Sequence, residues 1–366
     1  MKQCAYCGRD ESKVTFMGVE HVVPQLMGVF SAVIVDLVCD DCNSKTFSKL
    51  ETKFKEDTHE GIFYQMFNFE NKYELRILRN WAKPSFAWGL GNKMFDQMFP
   101  GLQLVDGDIK FVVRPQILVK THGKAGYIIL LLDGLKKLNQ SGSKFKKLKK
   151  RLDGTPSKNV LVFAYAKDGA DDDQLREALE FVKALGIDYK EGNREHARFK
   201  EDGEHRAESS IDVTVGNDVG RVIAKIAFNY FIYCAVGSGE QSILFHPNFL
   251  KLKSYILGKI DPPIKEVITN VTHESNIVSA KLTPLRLLGH ILTFREENGR
   301  IIAVISLLGQ NFYTVDLGEM PDELKRKNFG SGHVFNPVNG KILGLTQNRA
   351  KMGSGLEQSA GLFSAL

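Results

Sequence analysis

The stretch from Cys4 to Glu51, CAYCGRDESKVTFMGVEHVVPQLMGVFSAVIVDLVCDDCNSKTFSKLE, carries four of the chain's five cysteines. They form two Cys-x-x-Cys pairs, Cys4/Cys7 and Cys39/Cys42, with 31 residues between them. Four thiolates are the number and kind of ligand that a structural Zn2+ takes in tetrahedral geometry. Each pair can grip the ion from a tight turn, which Gly8 after Cys7 helps to form. A four-cysteine site leaves no open coordination position, so such a zinc staples the fold and does no chemistry itself. Unligated thiols or a redox Cys-x-x-Cys are the alternatives, and neither explains two pairs side by side. Val14–Met17 and Val33–Val38 are short β-branched runs that read as strands. After Cys42, Phe47, Leu50 and Phe54 recur at helical spacing. The expected order is knuckle, strand, loop, strand, knuckle, helix.

Glu20-His21-Val22-Val23-Pro24 follows the first of those strands, and Asn43 follows Cys42 directly. The combination CxxC…EHVVP…G…VCDDCNSK resembles the HNH endonuclease family, in its zinc-stapled EHxxP…CxxCN branch. The resemblance spans Cys4 to about Glu51, about one-seventh of the chain. It implies a ββα-metal fold and metal-dependent hydrolysis of DNA phosphodiester bonds. By that resemblance Glu20 and Asn43 are the ligands of a catalytic Mg2+ or Mn2+, and His21 is the general base.

Elementary chemistry suits those roles. A neutral imidazole, with an ordinary pKa near 6.5, can accept a proton from water at physiological pH. A divalent ion held by one carboxylate and one amide oxygen keeps most of its coordination sphere for phosphate and water. Glu20 and His21, adjacent in extended chain, should point to opposite faces. Pro24 should stiffen the loop, and Gly28 should allow a turn in it. The family's carboxylate is more often Asp, and its central Asn is replaced here by Ile34; Asp36 is a weak substitute. Glu51, two helical turns past Asn43, could reach the same ion or a second one, although an exposed helix carboxylate is the commoner case. Plainer roles also exist: His21 capping the loop, Glu20 in a surface salt bridge, Asn43 as a turn residue.

The expected fold class is α+β: a small HNH domain over residues 1–58, then a large mixed α+β body over 59–366. A division of that body near 215 is an option, and the Gly- and Ser-rich tail from about 352 should be mobile. Asn68–Trp81 suggests a helix and WAKPSFAWGLG, residues 81–91, a loop. Strands are expected at Ile109–Val119, Tyr127–Leu132, Val160–Ala166 and across Val278–Leu317, with Asn298-Gly299 as a hairpin turn. Helices are expected at Gln174–Leu185, Gly220–Val236 and Pro247–Ile256. WGLGNK and VGSGEQ lack the strand-then-helix context of nucleotide loops, and Cys234 fits a core position.

Forty-three per cent hydrophobic and 25% charged residues exclude wholesale disorder, a fibre and a disulfide miniprotein. Nothing at the N-terminus resembles a signal peptide, so a reducing, cytoplasmic setting is expected. No membrane span is expected either. The best stretch, Val219–Val236, contains Arg221, Lys225 and Asn229, which are costly in hydrocarbon. The net charge of +6 is a mild bias towards DNA as partner. Candidate phosphate contacts are Lys45 and Lys49 after the second knuckle, with Lys53 and Lys55 beyond them. Lys144, Lys146, Lys147, Lys149, Lys150 and Arg151 in KFKKLKKRL form a second group. His196 and His205 could chelate a metal. A single site cuts one strand, so a double-strand break needs a homodimer, a partner protein or two nicks. Restriction and phage defence are the settings in which such enzymes work. The alternative is a zinc-stapled nucleic-acid-binding or regulatory protein without catalysis.

Overall fold

The computed structural model describes residues 2–58, 216–273, 289–308, 311–325, 332–337 and 340–345, with shorter segments between 60 and 210. Two compact units form: Met1–Phe54 with Val215–Leu366, and Lys55–Thr214. The architecture is α+β with antiparallel sheets. The first 54 residues thus share a unit with the stretch from Val215 to the C-terminus, about two-fifths of the chain.

In the first unit, strands β1 (Glu20–His21) and β2 (Val33–Ile34) pair antiparallel, Glu20 opposite Ile34 and His21 opposite Val33. The strand expected at Val14–Met17 does not form. The backbone N–H groups of Met17 and Gly18 donate to the Asp40 carboxylate instead, the latter at 2.8 Å. A side-chain acceptor has displaced the ladder there. β2 keeps two of the six expected residues, because the chain turns at Asp36, whose φ is +62°. Beyond Cys39 a π-helical stretch, Asp41–Phe47, runs into helix α1 (Ser48–Asp57). Phe47, Leu50 and Phe54 all face the interior, as their spacing predicts.

Helix α2 (Asn217–Gly237) is apolar almost all round, the composition of a helix with neighbours on every side. Tyr6 and Phe47 pack on one side, with Tyr6 and Phe228 rings 5.2 Å apart. Phe231 meets Phe249, just ahead of helix α3 (Leu250–Ile256), at 4.9 Å. The remaining side covers a six-stranded antiparallel sheet. Its strands are β3 (Ile268–His273), β4 (His290–Glu297), β5 (Arg300–Leu307), β6 (Asn311–Glu319), β7 (Gly332–Phe335) and β8 (Ile342–Leu345), in the order β3-β6-β5-β4-β7-β8. Tyr230 of α2 stacks on Phe294 of β4 at 4.8 Å. By length and composition α2 could cross a membrane, but 78% of its apolar window is buried within the protein. Asn298 and Gly299, at φ +53° and +73°, make the expected two-residue turn between β4 and β5. Of the strands expected over Val278–Leu317, residues 278–288 lie outside the described residues.

The loop after β1 is fixed to the sheet through Gly28 and His290. Gly28 has φ +142°, and a Cβ there would lie 2.7 Å from the Phe30 ring, so only glycine fits. The fully buried His290 of β4 has Nε2 3.1 Å from the Met27 carbonyl, while Leu308 N–H donates to Nδ1 at 3.3 Å. Because the Leu308 amide can only donate, Nδ1 accepts and Nε2 carries the proton. Burial pushes the imidazole pKa down to about 4. With the folded value below the ordinary ~6.5, its stabilising contribution is full above that value. It is lost as pH falls from about 6.5 to about 4, by roughly 3 kcal/mol in total. Urea titrations should show this slope in the parent protein and a flatter one in His290→Gln, whose amide can still donate to Met27. Equal slopes would remove His290 as its source.

The second unit holds a four-stranded antiparallel sheet in the order Leu75–Leu78, Tyr127–Leu131, Gln116–Thr121, Val160–Tyr165. Two-stranded pairs join Gly101–Val105 to Asp108–Val112, and Ser85–Ala87 to Glu208–Ser210. Two expectations are corrected. Leu75–Leu78, inside the supposed helix, is a strand because Tyr127–Leu131 offers it a partner. Ser85–Ala87, inside the supposed loop, is likewise a strand. Within the run expected at 109–119, the strands Asp108–Val112 and Gln116–Thr121 belong to different sheets. The helix Asp172–Ala184 forms, and its Phe181 meets Phe145 edge-to-face at 5.2 Å. His196, His205 and the tail from 352 lie outside the described residues.

Candidate metal centre and adjoining site

Both knuckles bend the backbone so that their thiols converge. Gly8 N–H donates to Cys4 O at 2.9 Å, and Asn43 N–H to Cys39 O at 3.0 Å. The four sulfurs of Cys4, Cys7, Cys39 and Cys42 lie within 4.8 Å of one another. Cys4 and Cys42 are 3.9 Å apart, and Cys7 and Cys39 3.7 Å. Zinc–sulfur bonds of 2.3 Å in a tetrahedron require edges of about 3.8 Å. The cluster could therefore hold a metal ion such as zinc. The sulfur–sulfur contact between Cys4 and Cys42 holds Cys4 down to about 4 and pushes Cys42 up. Burial raises Cys39 to about 11. Four crowded sulfurs cannot carry four charges unaided, and a divalent ion replacing their protons resolves the conflict. Arg9 adds support, donating from Nε to Cys7 Sγ at 3.3 Å and pairing with Asp41 at 3.0 Å.

Tyr6, between the two cysteines of the first knuckle, reaches helix α2. Its hydroxyl donates to Asn229 Oδ1 at 2.5 Å. Asn229 Nδ2 in turn donates to Glu20 Oε1 at 2.7 Å and to the His21 carbonyl at 2.9 Å. Lys225, one turn earlier, places Nζ 2.6 Å from Glu20 Oε1 and also meets Glu51. Lys225 and Asn229 are completely buried, and Glu20 is 3% exposed. Burial acts to lower the Lys225 pKa but is outweighed by Glu20 and Glu51, which hold it above the usual lysine range. Burial also raises the Glu20 carboxyl against the pull of Lys225. The ammonium keeps its proton, so the group is a cation between two carboxylates.

Glu20 and His21 do part to opposite faces: Glu20 is buried and His21 half-buried. His21 Nε2 lies 2.7 Å from Gln25 Nε2. Asn43 sits in the π-helical stretch, a winding often found where a side chain must be re-aimed. Its Nδ2 donates to the Val19 carbonyl at 3.1 Å, tying it to the residue before Glu20-His21 and leaving its amide oxygen as the atom that could face an ion. The structure thus brings Asn43 to the start of β1. It turns the Glu20 carboxylate inward onto α2, where Oε1 meets Lys225 and Asn229. Ile34 lies opposite Glu20, and Asp36 pairs with Lys2 at 2.7 Å. Of the lysines, Lys45 pairs with Asp41 and Lys53 with Asp218, while Lys49 is exposed. Lys146, Lys149 and Lys150 are exposed and helical; Lys144, Lys147 and Arg151 lie outside the described residues.

Sequence reasoning missed Tyr6, Asp40, Lys225 and Asn229. Arg221, Lys225 and Asn229 recur every four residues, one polar line on an apolar helix, and that was the available signal. Asp40 accepts from Thr15, Met17 and Gly18 and so shapes the approach to β1. A Cβ at Gly18 would lie 3.1 Å from Asp40 Oδ1 and 3.3 Å from Asn43 Nδ2. Gly18→Val should retain the metal ion yet break the Asn43–Val19 bond. Loss of one hydrogen bond predicts about tenfold faster amide exchange across residues 15–21; unchanged exchange would contradict it.

A polar depression of about 270 Å³ elsewhere in this unit is lined by Lys251, Glu266, Arg300 and Asp316, which pair with one another and include no expected site residue. Comparison with family models, curated proteins and solved structures finds no match for this chain.

Proposed function

We propose that this chain is a metal-dependent endonuclease of the HNH type that hydrolyses DNA phosphodiester bonds, with His21 as general base. One arrangement supports it. Two paired strands and a following helix are gathered by four cysteines, and Asn43 is fastened to the residue before Glu20-His21. On this proposal the cysteines hold a structural Zn2+, which keeps β1 and Asn43 in register. His21, half-buried beside Gln25, takes the proton from the attacking water. When bound, Mg2+ or Mn2+ would neutralise charge building on the phosphate and the leaving oxygen. Asn43 offers such an ion its amide oxygen, but the Glu20 carboxylate is engaged with Lys225. The fold as it stands therefore offers the ion fewer ligands than the family resemblance implies. Exposed Lys49 suits a phosphate contact. Restriction or phage defence is the role that goes with this activity. The test is nicking of supercoiled plasmid by the zinc-loaded protein across a Mg2+ and Mn2+ series, with labelled RNA beside DNA to fix the substrate.

The Glu20–Lys225 contact favours a second reading, a zinc-stapled nucleic-acid-binding or regulatory protein without catalysis. Such a protein would bind DNA in a salt-dependent way, gain nothing from added Mg2+ and leave the plasmid intact.

A further inference from the structure

We infer that Lys225 supplies Glu20 and Glu51 with the positive charge that a divalent ion would otherwise bring, so that Glu20 positions the His21 strand and ligates no ion. The positioning role rests on the nuclease proposal; the assignment of the charge does not.

Every group around Glu20 points the same way. Lys225 Nζ contacts both carboxylates, 2.6 Å from Glu20, and is wholly buried. Its ammonium also lies 5.2 Å from the centre of the Phe47 ring. Asn229 uses its two amide functions to order three neighbours: the oxygen takes the Tyr6 hydroxyl, and the nitrogen bridges Glu20 Oε1 and the His21 carbonyl. Glu20 Oε1 thus already receives an ammonium and an amide, and its other oxygen belongs to the same buried carboxylate. A divalent ion on that carboxylate would sit within a few ångströms of that ammonium in a site closed to water, where like charges repel strongly. The Asn229 bridge also explains what Glu20 does for its neighbour. It fixes the backbone of His21 from behind, while the imidazole stays on the other face of β1. Carboxylate, lysine and asparagine form a docking point between the first 54 residues and helix α2.

The test uses the full-length, zinc-loaded protein as parent, Glu20→Gln, Lys225→Met and the double variant. Three readouts are followed: the thermal midpoint, Mn2+ binding from the electron paramagnetic resonance of free Mn2+, and the His21 ring-proton NMR signal, assigned with His21→Ala. Each single substitution should lower the midpoint and move the His21 signal. The double substitution should recover most of both, because neither charge is then left alone. Mn2+ affinity should stay within about twofold of the parent in Glu20→Gln, whereas loss of a true ligand or its support costs about 10-fold to 100-fold. A drop of about tenfold or more in Glu20→Gln, or a double variant no better than the worse single one, would overturn the inference. Should a single variant fail to fold, the double variant still decides by its midpoint and Mn2+ affinity. A parent that binds Mn2+ but never nicks DNA would count against the nuclease proposal alone.

Discussion

Replacing Cys42 with serine, or chelating the ion that the four cysteines could hold, is expected to unfold residues 2–57 and to loosen the unit they join. The hairpin they contain is held by only two residue pairs, far too short a ladder to persist alone. Cys42 is 3% exposed, with the Cys4 sulfur 3.9 Å away, so a serine there removes a thiolate from a closed set. Structural zinc sites of this kind contribute on the order of 10 kcal/mol or more to folding. The loss does not stop at the knuckles. Tyr6, between Cys4 and Cys7, carries the contacts to Asn229 and Phe228, so its release exposes part of α2. One zinc per chain by elemental analysis, and a large drop in the urea midpoint for Cys42→Ser or on chelation, are the expected results. A Cys42→Ser protein without zinc but with an unchanged midpoint would show that the cluster is no staple.

His21→Ala is expected to lower plasmid nicking by about 10²- to 10⁴-fold, the usual contribution of a general base. The substitution should spare the fold. The His21 side chain is half-buried with Nε2 beside Gln25, and a hydrogen bond that ties this strand to α2 uses the His21 carbonyl, which alanine keeps. Zinc content and thermal midpoint should therefore match the parent while activity falls. Nicking by His21→Ala at the parental rate would remove His21 as the base, and a matching fall in midpoint would make the loss structural.

The local chemistry of the first 54 residues was legible in the sequence. Paired cysteines announce their own geometry, and the spacing of Phe47, Leu50 and Phe54 announces the buried face of the helix. The long apolar helix was also legible, down to the polar residues that looked out of place in it. What those residues pair with was not. Asn229 meets Glu20 across 209 residues of sequence, and no local pattern records such a partner. The expectation of Glu20 as an ion ligand came from the family resemblance, which carries no sign of Lys225, the buried partner it meets here. Strand assignments went astray for the same reason at shorter range. Val14–Met17 has the composition of a strand, but Val14 N–H goes to the Asp10 carbonyl and Met17 N–H to the Asp40 carboxylate, and Leu75–Leu78 becomes a strand because another strand lies beside it.

Endonuclease activity itself is tested most directly by one measurement, the relaxation of supercoiled plasmid by the zinc-loaded parent protein as Mg2+ or Mn2+ is raised from zero. Nicked circles that appear only with the added ion, and rise with its concentration to a plateau, are the predicted result. Plasmid that stays supercoiled at every concentration, although bound by the protein, would contradict the nuclease account and leave a zinc-stapled binding protein in its place.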